Sequence, residues 1–408
     1  MNSSWICCQL GAREHYAIPR SLHLTHQLKA CFTDSWVPPH SPLRWLPQIR
    51  KSGLRDRFHP DLQQTPIQDF TYSTLVFEVA QRLQANPPWT TILARNRWFQ
   101  TQVINELERL PVDHKEEVIL FSYSYAALDL FRYARDRGWK TILGQIDPGP
   151  AEDQMVQTVA QRYPDLALPA ASPPPEYWQQ WSQECELADR IVVNSPWSAQ
   201  LLQQSGIPQE KLAIIPLVYE PDPDTINFQR RYPSKFTSDR PLRILFLGQI
   251  NLRKGIGEIL EAIKLLEQEP IEWWLVGSTQ INIPTHFQNH PQVRWFGIVP
   301  RSQVNAYYQQ ADLFVLPTHS DGFALTQLEA QSWKLPLITS QNCAPVVQDQ
   351  RTGLTLSTVN GLELVQAIET CLASPQLLQV WSNHSSSDWI DSGFKLQSLA
   401  QSLQTLLA

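Results

Sequence analysis

Short apolar runs recur along this chain, each followed by a polar or glycine-bearing turn and then a stretch with helical spacing. In the first half they fall at 5–9, 118–121, 141–143 and 190–193, with a helical pattern at 126–137 that stops at Gly138. In the second half they fall at 242–248, 273–277, 293–297, 312–316 and 336–340. Helical spacing lies between them at 256–268, 303–310 and around Glu329, and again at 363–373, 376–383 and 395–407, the last amphipathic. Alternation of this kind predicts parallel strands joined by crossover helices. Residues 36–66 are proline-rich and irregular, and no element is assigned there.

The stretch 221–241, rich in Pro, Asp, Arg and Ser, separates two segments with the same grammar. A length of 408 residues also favours two domains. The expected class is α/β, with a first Rossmann-like domain at 1–220, a linker at 221–240 and a second Rossmann-like domain at 241–385. Residues 386–408 form a C-terminal helix able to pack back on the first domain. Two doubly wound halves leave a cleft, and ligands of open parallel sheets bind beyond the carboxyl ends of the strands. The loops that follow the strands are therefore where chemistry is expected.

Composition narrows the class of function. With 42% hydrophobic and 18% charged residues the chain can bury substantial cores and is not of the disordered type. A net charge of −6 provides no global field for nucleic acid, which is not expected as a partner. The six cysteines form no CxxC pair and two of them, Cys7 and Cys8, are adjacent, so reduced buried thiols in a cytoplasmic protein are expected. MNSSWICCQLGAREH lacks a basic start and a sustained apolar region, so no signal peptide is expected. No stretch approaches the roughly 18 apolar residues of a membrane span. The stretch 43–59, with Arg44, Arg50, Lys51, Arg55 and Arg57 among Trp45, Leu46 and Phe58, suits weak contact with an anionic membrane surface or an anionic acceptor; the plainer alternative is a solvated loop.

Two loops carry the candidate chemistry. In SDGFALTQLEA (320–330), Asp321 and Gly322 precede a helix whose unpaired N–H groups attract anions, and glycine lets an anion approach the main chain. Glu329 on that helix suits a carboxylate accepting bonds from two neighbouring hydroxyls, as on a ribose. The alternative is an ordinary cap with a solvated surface acid. In LGQINLRKG (247–255) a strand ends at Gly248 and a helix begins near Gly255, so Arg253 and Lys254 oppose the helix dipole and need another reason to be there. A terminal phosphate, carrying about −1.5 to −2 charge, is such a reason. Solvated loop cations are the alternative. Asp147, after the strand in LGQIDPGPAE, reads either as a cleft residue or as a cap of its Pro-Gly-Pro loop, and Glu14 and His15 read as packing residues or acceptor contacts.

Together these elements resemble the retaining GT-B glycosyltransferases of the large group 1, or family 4, class. The chain reads D-G-F-A-L-T-Q-L-E at 321–329 where the family has a pattern like E-G-F-G-L-P-x-L-E, and G-Q-I-N-L-R-K-G at 248–255 where the family has G-R-L-x-x-x-K-G. ADRIVVNSPWS (188–198) with IIP at 214–216 resembles the end of the family's first domain, and GAREHY its first glycine loop. The resemblance covers most of the chain outside about 36–110. It implies two Rossmann-like domains facing across a cleft and transfer of a sugar from a nucleotide-diphosphate sugar to an acceptor, with retained configuration and no metal or resident cofactor. It further implies that Lys254 holds the diphosphate with help from Arg253, that Glu329 takes the ribose, and that Asp321 and the backbone of Gly322, Phe323, Ala324 and Leu325 contact the donor. Gly248 lines the donor loop, and Gly11 lets the first loop approach.

The chain departs from the family pattern at several points. Asp321 replaces the usual Glu, Gln249 an arginine, Ala324 and Thr326 a glycine and a proline, and Cys343-Ala344 a Cys-Gly pair. Two other functions fit the same architecture: a sugar-nucleotide epimerase or hydrolase, and a catalytically silent sugar-nucleotide-binding subunit or sensor.

Overall fold

The computed structural model describes residues 3–45, 54–113, 115–169, 171–385 and 393–407; of the basic stretch 43–59, residues 46–53 lie outside the described residues. The first lobe holds strands β1 (Ser4–Gln9), β2 (Leu28–Thr33), β3 (Ile67–Asp69), β4 (Val118–Tyr123), β5 (Lys140–Gly144), β6 (Arg190–Val193) and β7 (Leu212–Ile214). Its helices are α1 (Ala17–Leu24), α2 (Thr71–Gln84), α3 (Pro88–Leu107), α4 (Leu128–Asp136), α5 (Pro150–Arg162), α6 (Pro175–Leu187) and α7 (Pro196–Gln204). The second lobe holds β8 (Leu242–Leu247), β9 (Ile271–Val276), β10 (Val293–Gly297), β11 (Leu313–Leu316), β12 (Leu337–Ser340) and β13 (Gly353–Leu356). Around them lie α8 (Ile256–Leu265), α9 (Thr285–Gln288), α10 (Arg301–Gln310), α11 (Thr326–Ser332), α12 (Gly361–Ala373) and α13 (Pro375–His384), and the chain finishes in α14 (Leu396–Thr405).

Both sheets are parallel and share one winding order. The first runs β3-β2-β1-β4-β5-β6-β7 and the second β10-β9-β8-β11-β12-β13. Chain direction across each sheet reverses between its first and fourth strands, β1/β4 and β8/β11, and that reversal opens a crevice at the strands' carboxyl ends. The register follows the apolar runs. Cys7 sits between Cys31 and Phe121, and Ile244 between Trp273 and Leu313, all fully buried or nearly so. Burial on both faces explains why these strands read as unbroken apolar runs rather than alternating ones. β3, β7 and β13 lack that signal because they are short outer strands with partly exposed positions.

The lobes are joined by more than the connecting chain. Val159 of α5 and Leu166 just beyond it lie in the second lobe's core, each contributing roughly 1.5–3 kcal/mol through burial. The Tyr163 hydroxyl donates to Glu258 at 2.9 Å and Glu261 at 3.0 Å. Segment 221–240 lies against the second lobe, where Arg230 donates to the carbonyls of Tyr308 and Trp333 at 2.7 and 2.9 Å and Arg240 clasps Asp312 through two bonds of 2.7 Å. Leu399, Leu403 and Leu406 pack with Ile18 and Leu22, so the C-terminal segment returns to the first lobe. All six cysteines are buried and free. Among the described residues, no helix is long and apolar enough to cross a membrane.

Candidate active site

The crevice of the second sheet is built from the loops after β8 and β11. β8 ends against Gly277, where a Cβ would lie 1.7 Å from the Gly248 carbonyl oxygen, while the space beside Gly248 itself is open. Asn251 then caps a single turn of 3-10 helix at Leu252–Lys254, its Oδ1 accepting the Lys254 N–H at 3.1 Å. Gly255 follows at φ +81°, and a Cβ there would meet the Pro317 carbonyl oxygen at 1.9 Å. Only glycine lets the two loops come this close. The Arg253 carbonyl accepts from His319 N–H at 2.8 Å and from the Thr318 hydroxyl at 3.0 Å, which laces one loop to the other.

That lacing turns Lys254 inward. Its ammonium forms an ion pair with Asp321 Oδ2, and both side chains are largely buried. Asp321 is itself held: its N–H donates to the Asn342 carbonyl at 3.0 Å and its Oδ1 accepts from Phe323 N–H at 3.2 Å. Arg253 donates to the Ser320 carbonyl at 2.8 Å and pairs with Glu152 of the first lobe at 3.4 Å. Burial and the Arg253 guanidinium pull the Lys254 ammonium down to about 7. The Asp321 carboxylate against it works the other way. Burial raises the Glu152 carboxyl, opposed first by Arg253. Both cations expected at the phosphate position thus meet an acid in this state.

The segment 322–325 behaves differently from a simple glycine turn. Gly322 does not need a left-handed backbone; what it permits is close approach, since a Cβ there would lie 3.2 Å from Asn194 Oδ1 of the first lobe. Trp197 Nε1 donates to the Ser320 hydroxyl at 3.0 Å, and the Ser198 hydroxyl reaches the Gly322 carbonyl at 3.5 Å. The left-handed residue is Ala324, at φ +63°. Phe323 is buried with Leu328, Ala344 and Val346, and Leu325 packs against the same cluster, so both side chains serve packing.

Glu329 stands in a separate hydrogen-bonded set on α11. Its Oε2 accepts from the Tyr308 hydroxyl at 2.7 Å, and no bond among the described residues links it to the Lys254–Asp321 pair. In the first lobe, Gly11 follows β1 at φ +87° and donates its N–H to Asp34 Oδ1 at 2.8 Å. Glu14, His15 and Tyr16 come next, all left-handed, a run costing roughly 1–2 kcal/mol per residue. His15 accepts at Nε2 from Arg301 of the second lobe at 2.8 Å, because a guanidinium can only donate. Asp147 stands in the loop after β5. Its Oδ1 caps the loop, accepting from Gly149 N–H at 2.9 Å and from the Tyr125 hydroxyl at 2.5 Å, and it lines a cavity of about 580 Å³ between the lobes together with Glu152 and Arg253.

Several residues here carry no obvious mark in the sequence. Glu152 has one weak signal, an acid in the first turn of a helix opened by Gly149-Pro150. Trp197 and Ser198 lie in the PWS stretch, but nothing in one chain announces that they reach a loop more than a hundred positions away. Tyr308 reads as an ordinary helix aromatic. Among the described residues, no three His, Cys, Asp or Glu side chains converge so as to hold a metal ion.

Residues 241–374, nearly all of the second lobe, match the family Glycosyl transferases group 1. The whole chain superposes on HepE of Anabaena, solved in complex with UDP, with a TM-score of 0.60, 13% identity and 99% of each chain covered. The fold is GT-B. Sucrose-phosphate synthase of Thermosynechococcus elongatus shares this GT-B arrangement at a TM-score of 0.64 and 16% identity, over 99% of this chain and 98% of that one. In sequence, the chain is 30% identical over 168 residues to alpha-galactosylglucosyldiacylglycerol synthase of Streptococcus pneumoniae, covering 37% of this chain and 43% of the relative. The chain spans about half or less of the length of the curated relatives it matches. Within the GT-B frame, Lys254, Asp321 and Glu329 fall inside the family-matched region, whereas Gly11, His15, Asp147 and Glu152 lie outside it.

Proposed function

We propose that this protein is a glycosyltransferase that moves a sugar from a nucleotide-diphosphate sugar to an acceptor, with retention of configuration. The observation that carries the proposal is the buried Lys254 ammonium at the β8/β11 crevice, faced by first-lobe groups across the cleft. The family match of the second lobe supports the reaction class, and the UDP in HepE and the UDP-glucose in a second HepE structure support the donor class. In this reading the donor's diphosphate takes Lys254 from Asp321 and Arg253 from Glu152, while Glu329 accepts the ribose hydroxyls. The bond between the anomeric carbon and the diphosphate oxygen breaks, a bond to an acceptor hydroxyl oxygen forms, and the hydroxyl proton passes to the leaving diphosphate. Lys254 and Arg253 stabilise the charge that develops on that oxygen, a contribution of roughly 3–4 kcal/mol per well-placed donor in comparable sites. The first lobe supplies the acceptor side, and packed lobes keep water from the donor. No resident cofactor enters the scheme.

The pairing of each cation with an acid is the observation that favours a second reading, a sugar-nucleotide-binding subunit without turnover. One experiment separates the two. UDP-, GDP- and ADP-sugars are screened for thermal stabilisation, roughly 2.7 kcal/mol being expected at a hundred times the dissociation constant. The donor that binds is then incubated with an acceptor panel and the products analysed. Transfer supports the enzyme, binding without product across the panel supports the silent subunit, and absence of stabilisation by every donor sinks both.

A further inference from the structure

The first sheet has its own crevice, at β1/β4, and it is occupied by a cavity of about 470 Å³ lined by Gly11, Arg13, Arg57, Arg95, Tyr123 and Tyr177. Such a volume suits a small ligand. Its charge is unbalanced. Arg57 pairs with Asp34 at 2.8 Å, but neither Arg13 nor Arg95 has an ion-pair partner among the described residues. The Arg95 side chain makes no hydrogen bond among them either, and its Nε is buried without an acceptor. A buried donor left unpaired is destabilising, more so for a charged group, and an anion bound there would remove the cost. Three guanidinium groups and one carboxylate line this cavity. Arg13 is exposed and lies within electrostatic reach of Asp147 and of Glu14, whose carboxyl burial raises to about 7, so the deeper Arg95 has the least compensation.

The rest of the wall is aromatic and hydroxylated. Tyr125 and Tyr177 stack with ring centres 4.4 Å apart, and Ser122, Ser124 and Asn96 line the same space. Aromatic faces suit the C–H surface of a sugar or polyol ring, and small polar groups suit its hydroxyls. A guanidinium fork suits a phosphate, whose charge of about −1.5 to −2 matches the two unpaired arginines. Arg57, from the basic stretch 43–59, turns into this cavity. Tyr177 lines both this cavity and the one between the lobes, so the two adjoin.

We propose that the first-lobe cavity binds a phosphorylated sugar or polyol as the acceptor, with Arg95 and Arg13 holding its phosphate. The proposal rests on the glycosyltransferase reading for the word acceptor, and on the cavity alone for the phosphate. The test is calorimetric titration of the full chain with glucose 6-phosphate, myo-inositol 1-phosphate, glucose, and phosphatidylcholine vesicles with and without phosphatidylinositol. Alongside these runs the nucleoside diphosphate that the donor screen selects. At least one phosphate ester should bind tenfold or more tightly than glucose. Arg95→Gln should weaken that ester at least tenfold, Arg95→Lys should recover part of the loss, and nucleoside diphosphate affinity should stay within twofold. Arg95-dependent binding to phosphatidylinositol vesicles, without binding of the soluble esters, also supports the site and assigns the phosphate to a lipid headgroup. Glucose binding as well as the esters, unchanged ester affinity in Arg95→Gln, or no phosphate probe binding while the nucleoside diphosphate does, each overturns the proposal and leaves the glycosyltransferase reading standing. If Arg95→Gln fails to fold, Arg13→Gln takes its place with the same expected loss. A wild-type chain that binds no nucleoside diphosphate overturns the reading of the second lobe instead.

Discussion

The Lys254 ammonium and the Asp321 carboxylate form one ion pair that ties the loop after β8 to the loop after β11. The pair is internal to the second lobe, while its neighbours Arg253 and Ser320 reach Glu152 and Trp197 of the first. An anionic ligand entering this crevice must compete with Asp321 for Lys254, and its arrival is felt on both lobes.

The protonation of Lys254 should be visible in binding. Burial and Arg253 lower its ammonium to about 7, and only the protonated form attracts a diphosphate. Affinity for a nucleoside diphosphate should therefore be greatest below about 7 and fall as pH rises through that value, by up to about tenfold per unit. Calorimetry from pH 6 to 9 reads this directly. Lys254→Ala should flatten the profile and lower turnover by about a hundred- to a thousandfold. A wild-type affinity that stays level across the range would mean that Asp321 keeps the lysine charged throughout.

Glu329 gives a test that depends on the sugar of the nucleotide. If its carboxylate accepts the ribose hydroxyls, Glu329→Gln should weaken a ribonucleoside diphosphate by about 1–3 kcal/mol and leave the 2′,3′-dideoxy analogue unaffected. Tyr308→Phe, which removes the bond of 2.7 Å orienting that carboxylate, should have a smaller effect in the same direction. Equal losses for both nucleotides would place Glu329 in packing rather than recognition.

Ala324 sits at φ +63° where the resembling family has glycine. A left-handed backbone costs a side-chain-bearing residue roughly 1–2 kcal/mol, partly offset by the greater freedom of glycine in the unfolded chain. Ala324→Gly should therefore stabilise the protein by about 1 kcal/mol, read as an upward shift of the urea midpoint. No shift, or a downward one, would show that the alanine methyl packs well enough to offset the strain.

Stability should also respond to pH through Glu184. This buried acid accepts N–H bonds from Tyr125, Ala127 and Leu128 at 2.6, 2.8 and 3.1 Å, closing the start of α4. Burial raises its carboxyl to about 7 in spite of those bonds. Between the ordinary carboxylate range and about 7 the folded chain holds a proton that the unfolded chain has lost, so stability falls as pH rises across that window, by at most about 3 kcal/mol from this group. Glu14 is raised to about 7 and adds a slope of the same sign. Urea midpoints at pH 5 and 7.5 should show the fall, and Glu184→Gln should remove Glu184's share of it. A midpoint that climbs over the window would contradict the assignment.

Much of the frame is legible along the chain. The runs at 190–193 and 242–248 match β6 and β8 almost residue for residue, because a strand buried on both faces is largely apolar. The run at 293–297 matches β10, an edge strand whose alternate positions are exposed. β2 escapes notice because LKACFT mixes a lysine and a threonine into a strand that is only partly buried at its start. α2 escapes because Thr71 is its one fully buried position, and α3 because its buried face, Asn96, Phe99, Gln100, Val103 and Leu107, includes two amides that interrupt the apolar rhythm. In the candidate site, Lys254, Asp321 and Gly322 carry a motif, while Glu152 and Tyr308, like Arg95 of the first-lobe cavity, do not, since each stands in a helix whose local pattern needs no functional explanation.

Local chemistry thus determined which segments become buried strands, where the turns after them carry glycine, acid or cation, and that the two halves wind alike. Tertiary structure decided the pairings: Lys254 with Asp321, Arg253 with Glu152, Glu329 with Tyr308, and Arg95 with nothing among the described residues. The physical reason is range. Hydrophobic periodicity is settled within one element and is written in neighbouring positions. The state of a buried charge depends on which groups from distant elements surround it, and that is fixed only when both sheets are wound and the lobes are packed together.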